Sequence, residues 1–310
     1  MSEGREGGHG RSVVIRRGSF DMGSDDFYAD ERPAHRRTVE PFRIDRFAVT
    51  NQDFARFVAE TGYVTVAERP LDPSVLPGAT SAQRAPGALV FTPTRGPVDL
   101  RDWQQWWRWQ PGAQWRHPEG PGTSIEDRMD HPVVQVAYED ATAYARWAGA
   151  RLPTEAEHEY AARGGRGGNP PYAWGTDPYP GGSYQANTWL GRFPYEHRGP
   201  YGATTAPVGS YPGNGYGLFD MIGNVWEWTG TAYTPRHHVP GTVPVDPGHR
   251  PGLLAEADGG PGPAVPRRVL KGGSYLCSPE YCLRFRPAAR SPQTDDTSAT
   301  HIGFRCVRSV

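Results

Sequence analysis

Apolar positions along this chain come in short bursts, and few of them repeat long enough to predict an extended element. Val13-Val14-Ile15 and Ser19-Phe20-Asp21-Met22, on either side of the turn-prone Arg17-Gly18, predict two short strands, and residues 38–47 alternate enough for one or two more. Helical spacing begins after Thr50. Phe54, Phe57, Val58 and Thr61 fall on one face, Thr50 is placed to cap the N-terminus, Asp53 lies near its positive end, and Gly62 stops it. A second helix is predicted from Asp140 as cap, through Ala141, Tyr144, Ala145 and Trp147, to Gly149. Thr154 with Glu157 three residues on forms a capping box that opens a third, running to about Arg163 before Gly164-Gly165. Val133, Val134 and Val136 suggest a short buried strand, and Val269-Leu270 another. Residues 67–125 and most of 166–310 show no period, only short segments between Gly, Pro and Asn turns.

Composition explains that irregularity. The 310 residues include 39 glycines and 32 prolines, enough punctuation to raise the question of disorder, but also 10 Trp, 15 Tyr and 11 Phe, which disordered chains lack. The expectation is a folded α+β domain of few regular elements and many ordered loops, with helices on a small twisted sheet. Residues 1–10 are polar and Gly-rich and read as a flexible tail, and residues 11–310 read as one domain. Trp103, Trp106, Trp107, Trp109 and Trp115 in the least regular stretch read as packing that pins a long loop, ahead of a recognition surface. A net charge of −1 offers no footprint for nucleic acid or an anionic membrane, and no apolar run approaches a membrane span. The start lacks the apolar core of a secretory signal, so the cytoplasm is the expected location.

The chemistry gathers late. Cys277, Cys282 and Cys306 are the three cysteines, an odd number that does not make a disulfide framework. In Leu270-Lys271-Gly272-Gly273-Ser274-Tyr275-Leu276-Cys277-Ser278-Pro279-Glu280-Tyr281-Cys282 a strand runs into Gly-Gly, and a Pro-containing turn separates two cysteines. Spacing leaves three readings open: a disulfide, a zinc site recruiting Cys306 and His301, or a two-thiolate site for a soft ion such as Cu(I).

Over nearly its whole length the chain resembles the formylglycine-generating enzymes, the sulfatase-modifying factors. The resemblance is carried by Gly18-Ser19-Phe20-Asp21-Met22-Gly23, Val49-Thr50-Asn51, Thr61-Gly62-Tyr63, His131-Pro132-Val133-Val134 and Arg151-Leu152-Pro153-Thr154-Glu155-Ala156-Glu157. It continues through Asn214-Gly215-Tyr216-Gly217-Leu218, Gly223-Asn224-Val225-Trp226-Glu227-Trp228, the Gly272 to Cys282 segment and Gly303-Phe304-Arg305-Cys306. Most of these motifs also mark a wider family that includes non-catalytic domains. The Cys277/Cys282 pair is what resembles the catalytic members.

The resemblance implies a C-type-lectin-like fold and an O2-using oxidoreductase. Its expected action is to turn the cysteine of a Cys-x-Pro-x-Arg segment in an unfolded sulfatase into Cα-formylglycine. It implies Cu(I) on Cys277 and Cys282, with Ser274, Tyr281 and Trp226 lining the place where O2 and substrate meet. It implies Ca2+ on Asp220, the carbonyls of Gly223 and Val225, and Glu227, and a second Ca2+ begun by Asn187 and the Thr188 carbonyl. The loop that would complete the second site, Glu196-His197-Arg198-Gly199-Pro200-Tyr201-Gly202, carries no Asp at the expected place. His158 stands where the family nearly always has Trp, and Gln293 where it has Asn. Pro287 replaces a cysteine that pairs, in some relatives, with the one matching Cys306, so Cys306 is expected as a buried free thiol. A non-catalytic peptide- or sugar-binding module of the same fold ranks second. An iron-dependent sulfoxide synthase ranks lower, since His9, His35, His117 and His131 are scattered and no helical bundle precedes the domain.

Overall fold

Helices form where capping chemistry and apolar spacing agree. A computed structural model describes residues 11–71, 78, 80, 84–237 and 266–310, so the tail expected at 1–10 lies outside the described residues. In helix α1 (Asn51–Thr61) the Thr50 hydroxyl accepts the Asp53 N–H at 3.2 Å, and Gly62 closes the helix at φ 67°. Its buried face carries Phe54, Phe57 and Val58. Helix α2 (Tyr138–Trp147) starts before Asp140, not after it. Asp140 lies inside the first turn and reaches back, one oxygen accepting the Ala137 N–H at 2.8 Å and the other the Val66 N–H and the Tyr63 hydroxyl. The acid that reads as a cap from the sequence is thus a capping partner from within the helix. In α3 (Glu155–Ala162) the expected box is present, with Thr154 N–H donating to Glu157 at 2.8 Å and Thr154 Oγ1 accepting from the Glu157 N–H.

The strands are short. They are β1 (Ser12–Ile15), β2 (Gly18–Met22), β3 (His35–Val39), β4 (Phe42–Asp45), β5 (Gly87–Phe91), β6 (Trp107–Pro111), β7 (Gly191–Arg192) and β8 (Glu196–His197). Then follow β9 (Trp226–Ala232), β10 (Arg267–Lys271), β11 (Arg290–Thr294), β12 (Ile302–Gly303) and β13 (Val307–Ser309). Although β1 and β2 flank a turn, they do not pair with each other: β1 joins a sheet of order β1-β4-β13, and β2 pairs with β3. The run at 133–136 is buried but is not a strand. Val133 N–H donates to Val49 and Gln135 N–H to Ala299, and Gln135 takes φ 59°, so no ladder with one partner can form. The Trp-rich stretch is mostly packing, with Trp106 and Trp115 fully buried and Trp109 exposed.

The sheet of order β11-β10-β9-β12 positions the site. Because β9 and β10 are antiparallel, with Lys271 opposite Glu227, the start of β9 and the end of β10 share one edge. Below that edge lies a core of buried charge. The chain's single lysine, Lys271, donates to Glu159 at 3.0 Å, Arg290 pairs with Glu155 and Arg286 with Glu31. Among the described residues no helix is long and apolar enough to cross a membrane. The α+β class and the single domain of mixed sheets, with three α-helices among the described residues, agree with the expectation.

Candidate active site at the paired cysteines

Leaving β10, the backbone turns at Gly272 (φ 91°) and Gly273 (φ 76°). A Cβ on Gly273 would meet the Arg284 carbonyl at 2.8 Å, so both dihedral and space demand glycine. A tight turn follows, in which Cys277 N–H donates to the Ser274 carbonyl. The Ser278 carbonyl then accepts from both Tyr281 and Cys282. That last bond, at 2.7 Å, folds the loop back and brings Cys282 Sγ to 3.6 Å from Cys277 Sγ. All three cysteines are free thiols. Cys306 is buried without a disulfide partner, as expected from Pro287. Among the described residues no three His, Cys, Asp or Glu side chains converge, so neither Cys306 nor His301 joins the pair as a zinc site would require.

The two thiols are unequal. Burial pushes Cys277 well above the ordinary thiol range, and its bond to Cys282 adds to this. Cys282 is lowered, first by accepting the Cys277 S–H, against an opposing effect of burial, and then by the Arg284 cation. Arg284 is fixed from outside the loop: it pairs with Asp30 at 2.9 Å, donates to the Arg290 carbonyl, and lies 4.0 Å over the Tyr28 ring. The Tyr28 hydroxyl accepts the Leu283 N–H, so one N-terminal segment clamps the residues after Cys282. Sequence reasoning missed Arg284 and Tyr28. Arg284 had a signal, its position two residues past a cysteine; Tyr28 had none.

Ser274 is buried; its N–H donates to Cys277 Sγ at 3.4 Å and its hydroxyl oxygen accepts from Leu276. Tyr281 is 38% exposed, with its ring parallel to Phe193 at 4.6 Å and edge-on to Trp106 at 5.3 Å. Trp226, only 5% exposed, belongs to the same core cluster as Cys277. Two thiols at 3.6 Å without a third side-chain ligand fit a soft monovalent ion that leaves room for a further sulfur.

The segments read as calcium loops are bonded to this turn. Gly223 N–H donates to Gly272, Tyr275 N–H to Asn224, Asn224 N–H to Asn187, and Trp189 N–H to Cys277. Their acids differ in availability. Asp220 is buried, and burial pushes it up to about 6 against the bond from Gly209; its Oδ1 has no partner among the described residues. Glu227 is held at about 2, because Arg305 and His158 outweigh the cost of burial. Both of its oxygens are taken. A hard ion therefore fits at Asp220 and not at Glu227. At the second site the Asn187 amide N–H groups go to Thr204 and Asn224, and Glu196 is paired with Arg198. Among the described residues no carboxylate is left there to complete a calcium shell.

Comparison with known proteins gives the family of the chain as a whole. The family model described as the sulfatase-modifying factor enzyme 1-like domain matches residues 2–310. A formylglycine-generating enzyme of Mycobacterium tuberculosis is 60% identical over 298 residues, covering 95% of this chain and 96% of the relative. One from Streptomyces coelicolor is 47% identical over 303 residues, covering 96% and 89%. Among solved structures, PvdO from Pseudomonas aeruginosa superposes with a TM-score of 0.60 at 25% identity, covering 96% of this chain and 94% of its own. The chain belongs to the sulfatase-modifying factor enzyme 1-like family.

Proposed function

We propose that this protein is an O2-using oxidoreductase that converts the cysteine of a Cys-x-Pro-x-Arg segment in an unfolded sulfatase to Cα-formylglycine. The observation that carries the reading is the free thiol pair, 3.6 Å apart in a glycine-hinged loop with Tyr281 exposed beside it, in a chain 60% identical to a formylglycine-generating enzyme. Overall, a substrate CH2–SH and O2, with a pair of reducing thiols, give the aldehyde, H2S, water and a disulfide. Cys277 and Cys282 would hold Cu(I), which supplies a site where O2 is reduced and a substrate thiolate is bound.

The chain's own residues prepare that site. Arg284 favours the thiolate at Cys282, while the buried Cys277 proton has to leave for a soft cation to be bound. Ser274, whose oxygen already accepts from Leu276, keeps its hydroxyl proton to donate. Phe193 and Trp106 hold the Tyr281 ring rigid, giving an extended peptide a flat apolar wall. In this reading Trp226, buried in the same core cluster as Cys277, closes the inner side and excludes water. Calcium, in this proposal, is held at Asp220 with the Gly223 and Val225 carbonyls, as a structural ion. We place the protein in the cytoplasm, a reading supported by its three free thiols.

The test is incubation with a Cys-x-Pro-x-Arg peptide, O2 and Cu(I), followed by mass spectrometry. Aldehyde product that disappears with Cys282→Ser is expected. Thiol oxidation to disulfide alone would replace this reading with a general thiol oxidase.

A further inference from the structure

We infer that the cation serving Glu227 is the guanidinium of Arg305, so that this part of the fold is held without a metal ion on Glu227. Glu227 is 1% exposed and Arg305 0%. Arg305 Nε donates to Oε2 and Nη2 to Oε1, each at 2.7 Å, in a parallel fork. The remaining N–H groups go to backbone: Nη2 to the Phe219 carbonyl at 2.9 Å, and Nη1 to the carbonyls of Arg46 at 3.2 Å and Asp45 at 3.3 Å. A guanidinium has five N–H donors, and all five find acceptors.

One carboxylate and three main-chain carbonyls around a single buried cation is the donor set of a hard-ion site, here filled by a side chain. The fork occupies the in-plane positions on both carboxylate oxygens, which a chelated ion would also need. An added dication at Glu227 would sit beside a buried fixed charge of its own sign. The three carbonyls come from the end of β4 and from the residue before Asp220, so Arg305 ties the first sheet, the Asp220 turn and β9 together.

His158 adds a third bond to the carboxylate. Its ring is fully buried, and Nε2 lies 2.9 Å from Glu227 Oε2, an oxygen that only accepts, so the proton is on Nε2. Nδ1 has no partner. The residue that replaces the family's Trp is thus a donor to the carboxylate, giving Oε2 two bonds beside the one on Oε1. Asp220, seven residues earlier, keeps an unpartnered oxygen. Of the two acids in one expected calcium loop, one has both oxygens bonded by protein donors and one keeps an oxygen open. The inference concerns the fold and does not depend on the proposed reaction.

Full-length protein freed of metal by chelation provides the test. Calcium affinity would be measured by displacement of Tb3+, whose emission is excited through tryptophan; Trp226 and Trp228 flank Glu227. Glu227→Gln keeps the carboxamide oxygen for Arg305 and is expected to leave calcium affinity within about threefold of wild type, and absence of calcium binding in both would agree. A loss of about tenfold or more in Glu227→Gln would overturn the inference. Should that variant fail to fold, wild type answers alone. With 15N labelling, the Arg305 Nε–H is expected to exchange slowly with solvent in chelator and in Ca2+ alike. Exposure of that proton on adding Ca2+ would overturn the inference as well.

Discussion

The cysteine loop and the Arg305–Glu227 knot lie at the same end of one sheet, where Lys271 faces Glu227, and they are built on opposite principles. In the knot every donor of the cation and both oxygens of the anion are met inside the protein. In the loop the chemistry is left open: among the described residues the two thiols meet only each other and main-chain N–H groups, the Ser274 proton is uncommitted, and Tyr281 faces outward. Saturated polar groups make rigidity; unsaturated ones make a site, provided something rigid holds them still. The bonds from Gly223 to Gly272 and from Tyr275 to Asn224 transmit that rigidity from one to the other.

Exchanging the two roles breaks the comparison most sharply at the cysteines. Cys277→Ser or Cys282→Ser is expected to lower peptide turnover by about a thousandfold or more, while unfolding free energy changes by under about 2 kcal/mol. Turnover and denaturant unfolding measured on the same preparations check it. A stability loss matching the activity loss would make the pair structural. At the knot the ordering reverses. Arg305→Met leaves Glu227 buried and charged without its fork, and is expected to destabilise by about 3–5 kcal/mol. Replacing both partners, Arg305→Met with Glu227→Leu, should cost less than the sum of the single changes, because no orphan charge remains. Strict additivity in urea titrations would show that the two side chains are not coupled.

What could be read from the sequence follows the same division. Local chemistry was readable: the Thr50 cap and Gly62 stop, the Thr154–Glu157 box and the glycine-hinged turn each depend on residues within a few positions of one another. Pairing across the chain was not. Nothing in Arg17-Gly18 says that it joins two sheets instead of a hairpin, and the apolar run at 133–136 cannot announce that Gln135 takes a left-handed conformation. The candidate site divides likewise. Cys277 and Cys282 share one loop and stand out there together, with Ser274 and Tyr281 named beside them by the resemblance, whereas Arg305, 78 positions after Glu227, looks like any arginine until folding brings it there. Tyr28, 255 positions before Leu283, is the same case.

Acid sharpens the contrast between buried structural groups and the working loop. Burial holds His237 and His301 neutral, lowering both from 6.5 to about 3. Between those values the unfolded chain takes up protons that the fold refuses, so stability falls as pH falls below about 6.5 and recovers above it. Unfolding midpoints measured from pH 7.5 to 5 should therefore decline toward acid. The decline should become shallower in His301→Gln. A midpoint flat across that window would mean that these rings are protonated in the fold.

The smallest effect separates a thiol that works from one that only fills space. Cys306 lies fully buried in the apolar core, and burial raises it well above the ordinary thiol range. It is therefore both hard to reach and rarely a thiolate, the two conditions that govern reaction with a disulfide reagent. Cys282 is partly exposed and lowered by the Cys277 hydrogen bond and, beyond the opposing effect of burial, by Arg284. Native metal-free protein should then show one fast thiol, absent in Cys282→Ser, with Cys306 reacting only on unfolding. Cys306→Ala removes one sulfur from a packed position and is expected to cost about 1 kcal/mol, with turnover unchanged. Because the loop takes its geometry from Ser278 and Arg284 and not from β13, a turnover loss in Cys306→Ala without a matching stability loss would contradict the division drawn between the two regions.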